Sequence, residues 1–157
     1  MRRVFQFILA MVLAFIPDVI GAMFSPHGPS DVWYNALSKS ALTPDGWVFA
    51  LAWTILYALI GVSLFLVIRS DKTRRSKTPA YLLFLVQMVL NAMWSYVFFG
   101  LHLAGAALIV LIGLIGITIW MMSVFHVFDK WASYLLWPYL LWMLFATYLN
   151  VMIVLLN

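Results

Sequence analysis

The chain has 157 residues, of which 66% are hydrophobic and only 9% charged, with a formal net charge of +4. A single domain of this length and a mean hydropathy of +1.06 has too little interior to hide that much apolar surface from water, so its main solvent is lipid. It contains no Cys, which excludes disulfides, thiolate metal sites and cysteine nucleophiles. Most of its basic residues sit in one connector, so the positive charge argues for no nucleic acid partner.

Five apolar segments, at residues 4–24, 47–68, 81–99, 103–128 and 131–156, each reach the roughly 20 residues that a membrane-spanning helix needs. They predict an all-α integral membrane protein, with residues 1–157 forming one domain, a five-transmembrane-helix bundle. The first segment has the outline of a signal peptide, with Arg2 and Arg3 ahead of an apolar run and small residues at Gly21-Ala22. Pro17-Asp18 interrupts that run, and the run outlasts a usual signal core, so it reads as a span. Asp18 is the one acid inside a predicted span. An acid inside a span is a functional candidate by default, but near the helix end its blander reading is a carboxylate snorkelling to the interface.

The loop at 25–46 is far longer than two neighbouring helices need, and long ordered loops commonly carry function. Within it Ser30 or Asp31 can cap a short helix bearing Val32, Trp33, Ala36 and Leu37. Pro44 and Gly46 then punctuate the entry to the second span. Residues 33–57 hold three Trp and two Tyr, which predicts a lid that plugs the bundle, followed by one wall of a pocket.

Polar and aromatic residues recur inside the spans at helical spacing. Gln87, Asn91 and Ser95 share one face of the third span, with Trp94 alongside. Trp53, Tyr57 and Gly61 do so in the second, and Trp142, Ala146 and Asn150 in the fifth, flanked by Tyr139 and Leu149. Such faces turn toward other helices or a cavity, because lipid cannot satisfy their hydrogen bonds. Interhelical bonding alone accounts for any one stripe. Large rings beside small residues on three helices point to a cavity for a large, flat, apolar ligand. Ala104, Gly105, Gly113 and Gly116 of the fourth span, and Ala92 of the third, allow close helix approach within the bundle or across a dimer.

The connector at 70–77 reads as a solvated basic turn, and Gly100-Leu101-His102 as a tight turn. With five spans, Arg2, Arg3, Arg69, Lys72, Arg74, Arg75, Lys77 and Lys130 fall on one side and Lys39 on the other. The positive-inside rule then places the N-terminus in the cytoplasm and the C-terminus and the 25–46 loop outside, as in a bacterial inner membrane. His27, His102 and His126 are isolated, Glu is absent, and no phosphate loop or nucleophile elbow occurs. No metal site and no required cofactor is expected.

Four motifs in order resemble the translocator protein family (TspO/MBR, the tryptophan-rich sensory proteins and the peripheral benzodiazepine receptor). They are WYNALSKSALTP at 33–44, AWTILY at 52–57, NAMWSYVFFG at 91–100 and WPYLLWMLFATYLN at 137–150. The resemblance implies a bacterial member with a five-helix, often dimeric bundle and a pocket under the first loop. It implies porphyrins and other tetrapyrroles, sterols or benzodiazepine-site compounds as ligands. Carried over residue by residue, the ligand-binding set is Ala22, Tyr34, Trp53, Tyr57, Asn91, Trp94, Trp142, Ala146 and Leu149.

The chain departs from the family pattern at Ser40 and Asp45, where prolines are usual, which predicts a more mobile lid. The sterol-type motif after Leu149 is missing, which disfavours sterols. The expected function is therefore a sensor or carrier of porphyrins and similar flat apolar molecules, with Asn91 offering its amide to the ligand. One alternative is light-dependent porphyrin degradation, with Trp53 and Trp142 as the candidate catalytic residues. A small-molecule transporter is a further alternative, though no paired intramembrane charges suggest proton-coupled exchange.

Overall fold

The computed structural model describes residues 1–24, 32–71 and 76–157, and all regular structure among them is helical. Its elements are α1 (Arg2–Ala22), α2 (Val32–Ala36), α3 (Gly46–Arg69), α4 (Thr78–Ser95), α5 (Ala104–Phe128), α6 (Lys130–Tyr134) and α7 (Trp137–Leu156). Five stretches are long and apolar enough to cross a membrane: α1, α3, Thr78–Gly100, α5 and Lys130–Leu156. The chain is an integral membrane protein of the all-α class, as its apolar segments predict.

Two spans differ from their sequence outlines. The third begins at Thr78 rather than 81, because Pro79 sits in its first turn, where a missing N–H costs no hydrogen bond. The same span closes in a π-helical turn, Tyr96–Gly100, which widens the last turn and re-aims its side chains. The fifth span is two helices, not one. Asp129 caps α6 by accepting the Trp131 N–H at 2.8 Å, and α7 restarts with Pro138 in its first turn.

The basic connector is less free than its composition suggests. The Lys77 ammonium donates to the carbonyls of Ile68 at 2.8 Å and Ser70 at 2.7 Å, so it meets groups that the end of α3 leaves unpaired. Burial lowers the Lys77 pKa from its ordinary value, and Asp71 partly restores it. Lys72, Arg74 and Arg75, and the proposed caps Ser30 and Asp31, lie outside the described residues.

Between 22% and 39% of the most apolar window of each span is buried within the bundle, so most of each helix faces lipid. Association then rests on close packing and internal hydrogen bonds rather than on hiding apolar surface from water. α1 packs on α3 and α4, while α5 packs on α4, α6 and α7. The α1–α3 contact is the tightest kind. Ala10 and Ala14 are fully buried, and a Cβ at Gly61 would stand 3.2 Å from the Met11 Cα and 2.6 Å from its Sδ. Gly61 therefore serves this contact and does not continue the Trp53–Tyr57 face into a pocket. Beside Gly105, Gly113 and Gly116 of α5 nothing lies within 4 Å, so these glycines are not used for close approach inside the bundle.

The core fills the half of the bundle away from α2, around Ile60 and Leu64 of α3, Leu114 and Met121 of α5, and Met143 of α7. The half beneath α2 holds a smaller cluster around Phe98, Ala107 and Ile153, beside a cavity.

Candidate ligand-binding cavity

A cavity of about 750 Å³ occupies that half, within the roughly 300–1,000 Å³ of small-molecule sites. Its walls come from α1, α3, α7 and the end of the third span, and its cover from residues 34–44. All nine residues of the expected binding set, Ala22, Tyr34, Trp53, Tyr57, Asn91, Trp94, Trp142, Ala146 and Leu149, line this one space.

The floor is a hydrogen-bond network. Tyr57 of α3 donates its hydroxyl to Asn91 Oδ1 at 2.6 Å. Asn91 Nδ2 donates to the Tyr139 hydroxyl at 2.8 Å, and Gln87 Nε2 donates to the same oxygen. Gln87, Asn91 and Tyr139 are buried, so α3, the third span and α7 are fixed to one another beneath the cavity. The Asn91 amide is thus engaged at both ends. It holds the floor and at the same time lines the cavity, where the sequence expects it to meet a ligand. Asn150 does similar work higher up, accepting from Trp94 Nε1 at 3.3 Å and donating to the Ala104 carbonyl at 2.8 Å.

The walls are aromatic faces in fixed pairs. Trp53 stacks on Tyr57 with centroids 5.4 Å apart and planes 26° from parallel. Trp94 stacks on Phe98 at 5.2 Å and 20°. Phe49 meets Trp142 edge to face at 5.8 Å. The Trp142 indole N–H is buried and finds no acceptor among the described residues. Such pairs hold ring orientation and make a surface suited to a flat partner.

The cover is pinned at several points. Trp33 of α2 stacks on His102 at 4.2 Å and meets Phe98 edge to face at 5.6 Å. His102 adopts a left-handed backbone with φ of 59° in the turn before α5, so this tight turn presents its ring to α2. Tyr34 meets Phe99 at 5.6 Å and carries the Lys39 ammonium 4.6 Å over its ring. Farther along, Asn157 Oδ1 accepts the Ser38 N–H at 2.9 Å and its Nδ2 donates to the Ser38 carbonyl at 3.0 Å. Ser40 Oγ and the Tyr148 hydroxyl share a hydrogen bond at 2.9 Å. Where the resemblance leads one to expect a stiffening proline, Ser40 supplies tethers instead. The aromatic helix caps the cavity, as a plug would.

Sequence reasoning missed several lining residues. Phe98 and Phe99 both reach the cavity because the π-helical turn brings successive rings to one side. Phe98 lies one helical turn beyond Trp94, so an extended stripe contained that signal; Phe99 carried none. Asp18, half-buried near the end of α1, also lines the cavity, a position the sequence reading did not assign to it. Tyr139, read as a flanking residue, is fully buried at the centre of the floor.

The model of the TspO/MBR family matches residues 7–156. The chain is 36% identical over 151 residues to Tryptophan-rich protein TspO of Archaeoglobus fulgidus, covering 96% of each chain. It is 33% identical over 156 residues to Tryptophan-rich protein TspO of Chlorobaculum tepidum, covering 99% of this chain and 98% of the relative. It is 32% identical over 133 residues to Translocator protein of Homo sapiens, covering 83% of this chain and 78% of that one.

Proposed function

This chain belongs to the TspO/MBR family, and on that premise we propose that it binds porphyrins and other flat, largely apolar molecules in the cavity under its first loop, as a membrane sensor or carrier. The observation that carries this reading is the cavity itself. About 750 Å³ of space is bounded by Trp53, Tyr57, Trp94, Phe98 and Trp142, whose rings offer broad faces for stacking. The hydrogen-bonded floor keeps those faces in place without a ligand, so little ordering cost falls on binding. The bilayer supplies apolar ligands from the side, and the cover over the cavity sets their release.

In this reading the basic residues hold the N-terminus in the cytoplasm of a bacterial inner membrane, and the covered mouth of the cavity opens on the other side. The chain acts as a homodimer, for which the open side of α5 around Gly113 and Gly116 permits close approach.

The test is titration of the purified protein with protoporphyrin IX, followed by quenching of Trp emission. Saturable quenching is expected, with affinity reduced by Trp142→Phe and thermal stability nearly unchanged. Unaltered affinity in that variant removes Trp142 from the site.

A second reading, light-dependent oxidative breakdown of the porphyrin, is favoured by one observation: Trp53 and Trp142 both line the cavity as candidate electron donors. Illuminating the complex in oxygen separates the two. A new tetrapyrrole product lost on Trp53→Phe or Trp142→Phe supports degradation, and a complex that stays intact supports binding alone.

A further inference from the structure

Among the described residues, Asp18 is the one acidic side chain that lines the cavity, and Lys39 the one basic one. They do not pair. The Lys39 ammonium donates to the Leu37 carbonyl at 3.1 Å and lies over the Tyr34 ring. Among the described residues, Asp18 makes no hydrogen bond or ion pair. Pro17 and Gly21, its neighbours on the inner side of α1, are buried, and Pro17, Asp18, Gly21 and Ala22 all line the cavity. Asp18 is therefore part of the cavity wall.

Asp18 is a half-buried carboxylate on the cavity wall with no counter-charge among the described residues, so a cationic ligand gains a Coulombic partner there. The groups nearest in kind are the π faces of Trp53, Tyr57 and Trp142, which also line the space and also favour positive charge. Acid and rings ask for the same partner.

Resting on the cavity reading given above, we propose that Asp18 makes the site selective for flat ligands that carry a protonated nitrogen. The ring system of the ligand stacks between the aromatic walls while its cationic nitrogen meets the Asp18 carboxylate. A ligand with an anionic group at that end is repelled, so dicarboxylic molecules enter with their acids turned toward the Lys39 side.

The experiment uses the full chain in nanodiscs of zwitterionic lipid and two three-ring probes of like shape, cationic 9-aminoacridine and uncharged 2-aminoanthracene. Binding is read by Trp quenching. The wild-type protein is expected to bind the cation several-fold more tightly, the scale of a partly exposed ion pair. Asp18→Asn should bring the two affinities together, and Asp18→Glu should keep them apart. Equal affinities in the wild type, or a preference that survives Asp18→Asn, overturns the proposal. Trp142→Phe separates this failure from a failure of the site. If it weakens both probes while Asp18→Asn alters neither, the cavity stands and the selectivity falls. If it weakens neither, both fall.

Discussion

The Asn91 side-chain nitrogen donates to the Tyr139 hydroxyl at 2.8 Å, across two helices and beneath the cavity. The hydroxyl also accepts from Gln87, so a single oxygen is the acceptor for two buried amide nitrogens. In lipid, a lost partner cannot be replaced by water.

Tyr139→Phe strips both amides of their acceptor and is expected to destabilise the fold by about 1–3 kcal/mol, the penalty for buried polar groups left unmet. Tyr57→Phe removes one donor from Asn91 and should cost less. Thermal denaturation in detergent compares the two. Equal losses would mean that Tyr139 is not the hub of the floor.

The α1–α3 contact predicts a position-specific response to added bulk. Gly61→Leu drives a side chain into the Met11 backbone and is expected to destabilise by at least about 1–3 kcal/mol, as overpacking does. Gly116→Leu meets open space and should leave the stability of a single chain unchanged. If the two variants melt alike, α1 does not rest on Gly61.

Asn157 and Tyr148 tether the cover from α7, at Ser38 and Ser40. Each exposed hydrogen bond contributes at most about 0.5–1.5 kcal/mol net, so the double variant Asn157→Ala, Tyr148→Phe should speed ligand release several-fold. Stopped-flow displacement of bound porphyrin measures it. An unchanged release rate means that the cover does not gate exit.

Much of this was legible in the chain because bilayer thickness and helical period act on every residue at once. Long apolar runs gave five spans, and the Asn91, Trp53 and Trp142 stripes marked inward faces. What stayed hidden depended on local geometry. Nothing in the letters of Tyr96–Gly100 announces a π-helical turn, so Phe99 was invisible as a lining residue. The side of α1 to which Asp18 turns depends on how α1 packs on α3 and α4, which the letters around Asp18 do not show. Asn91 was placed correctly, but its partners lie on two other helices, and pairings of that kind follow from packing.

The most direct measurement is the structure of the protein bound to protoporphyrin IX. Ligand density is expected between Trp53 and Trp142, above the Tyr57–Asn91–Tyr139 floor, with residues 34–44 closed over it. Density confined to the lipid-facing surface, with the cavity empty at saturating ligand, would contradict the central claim.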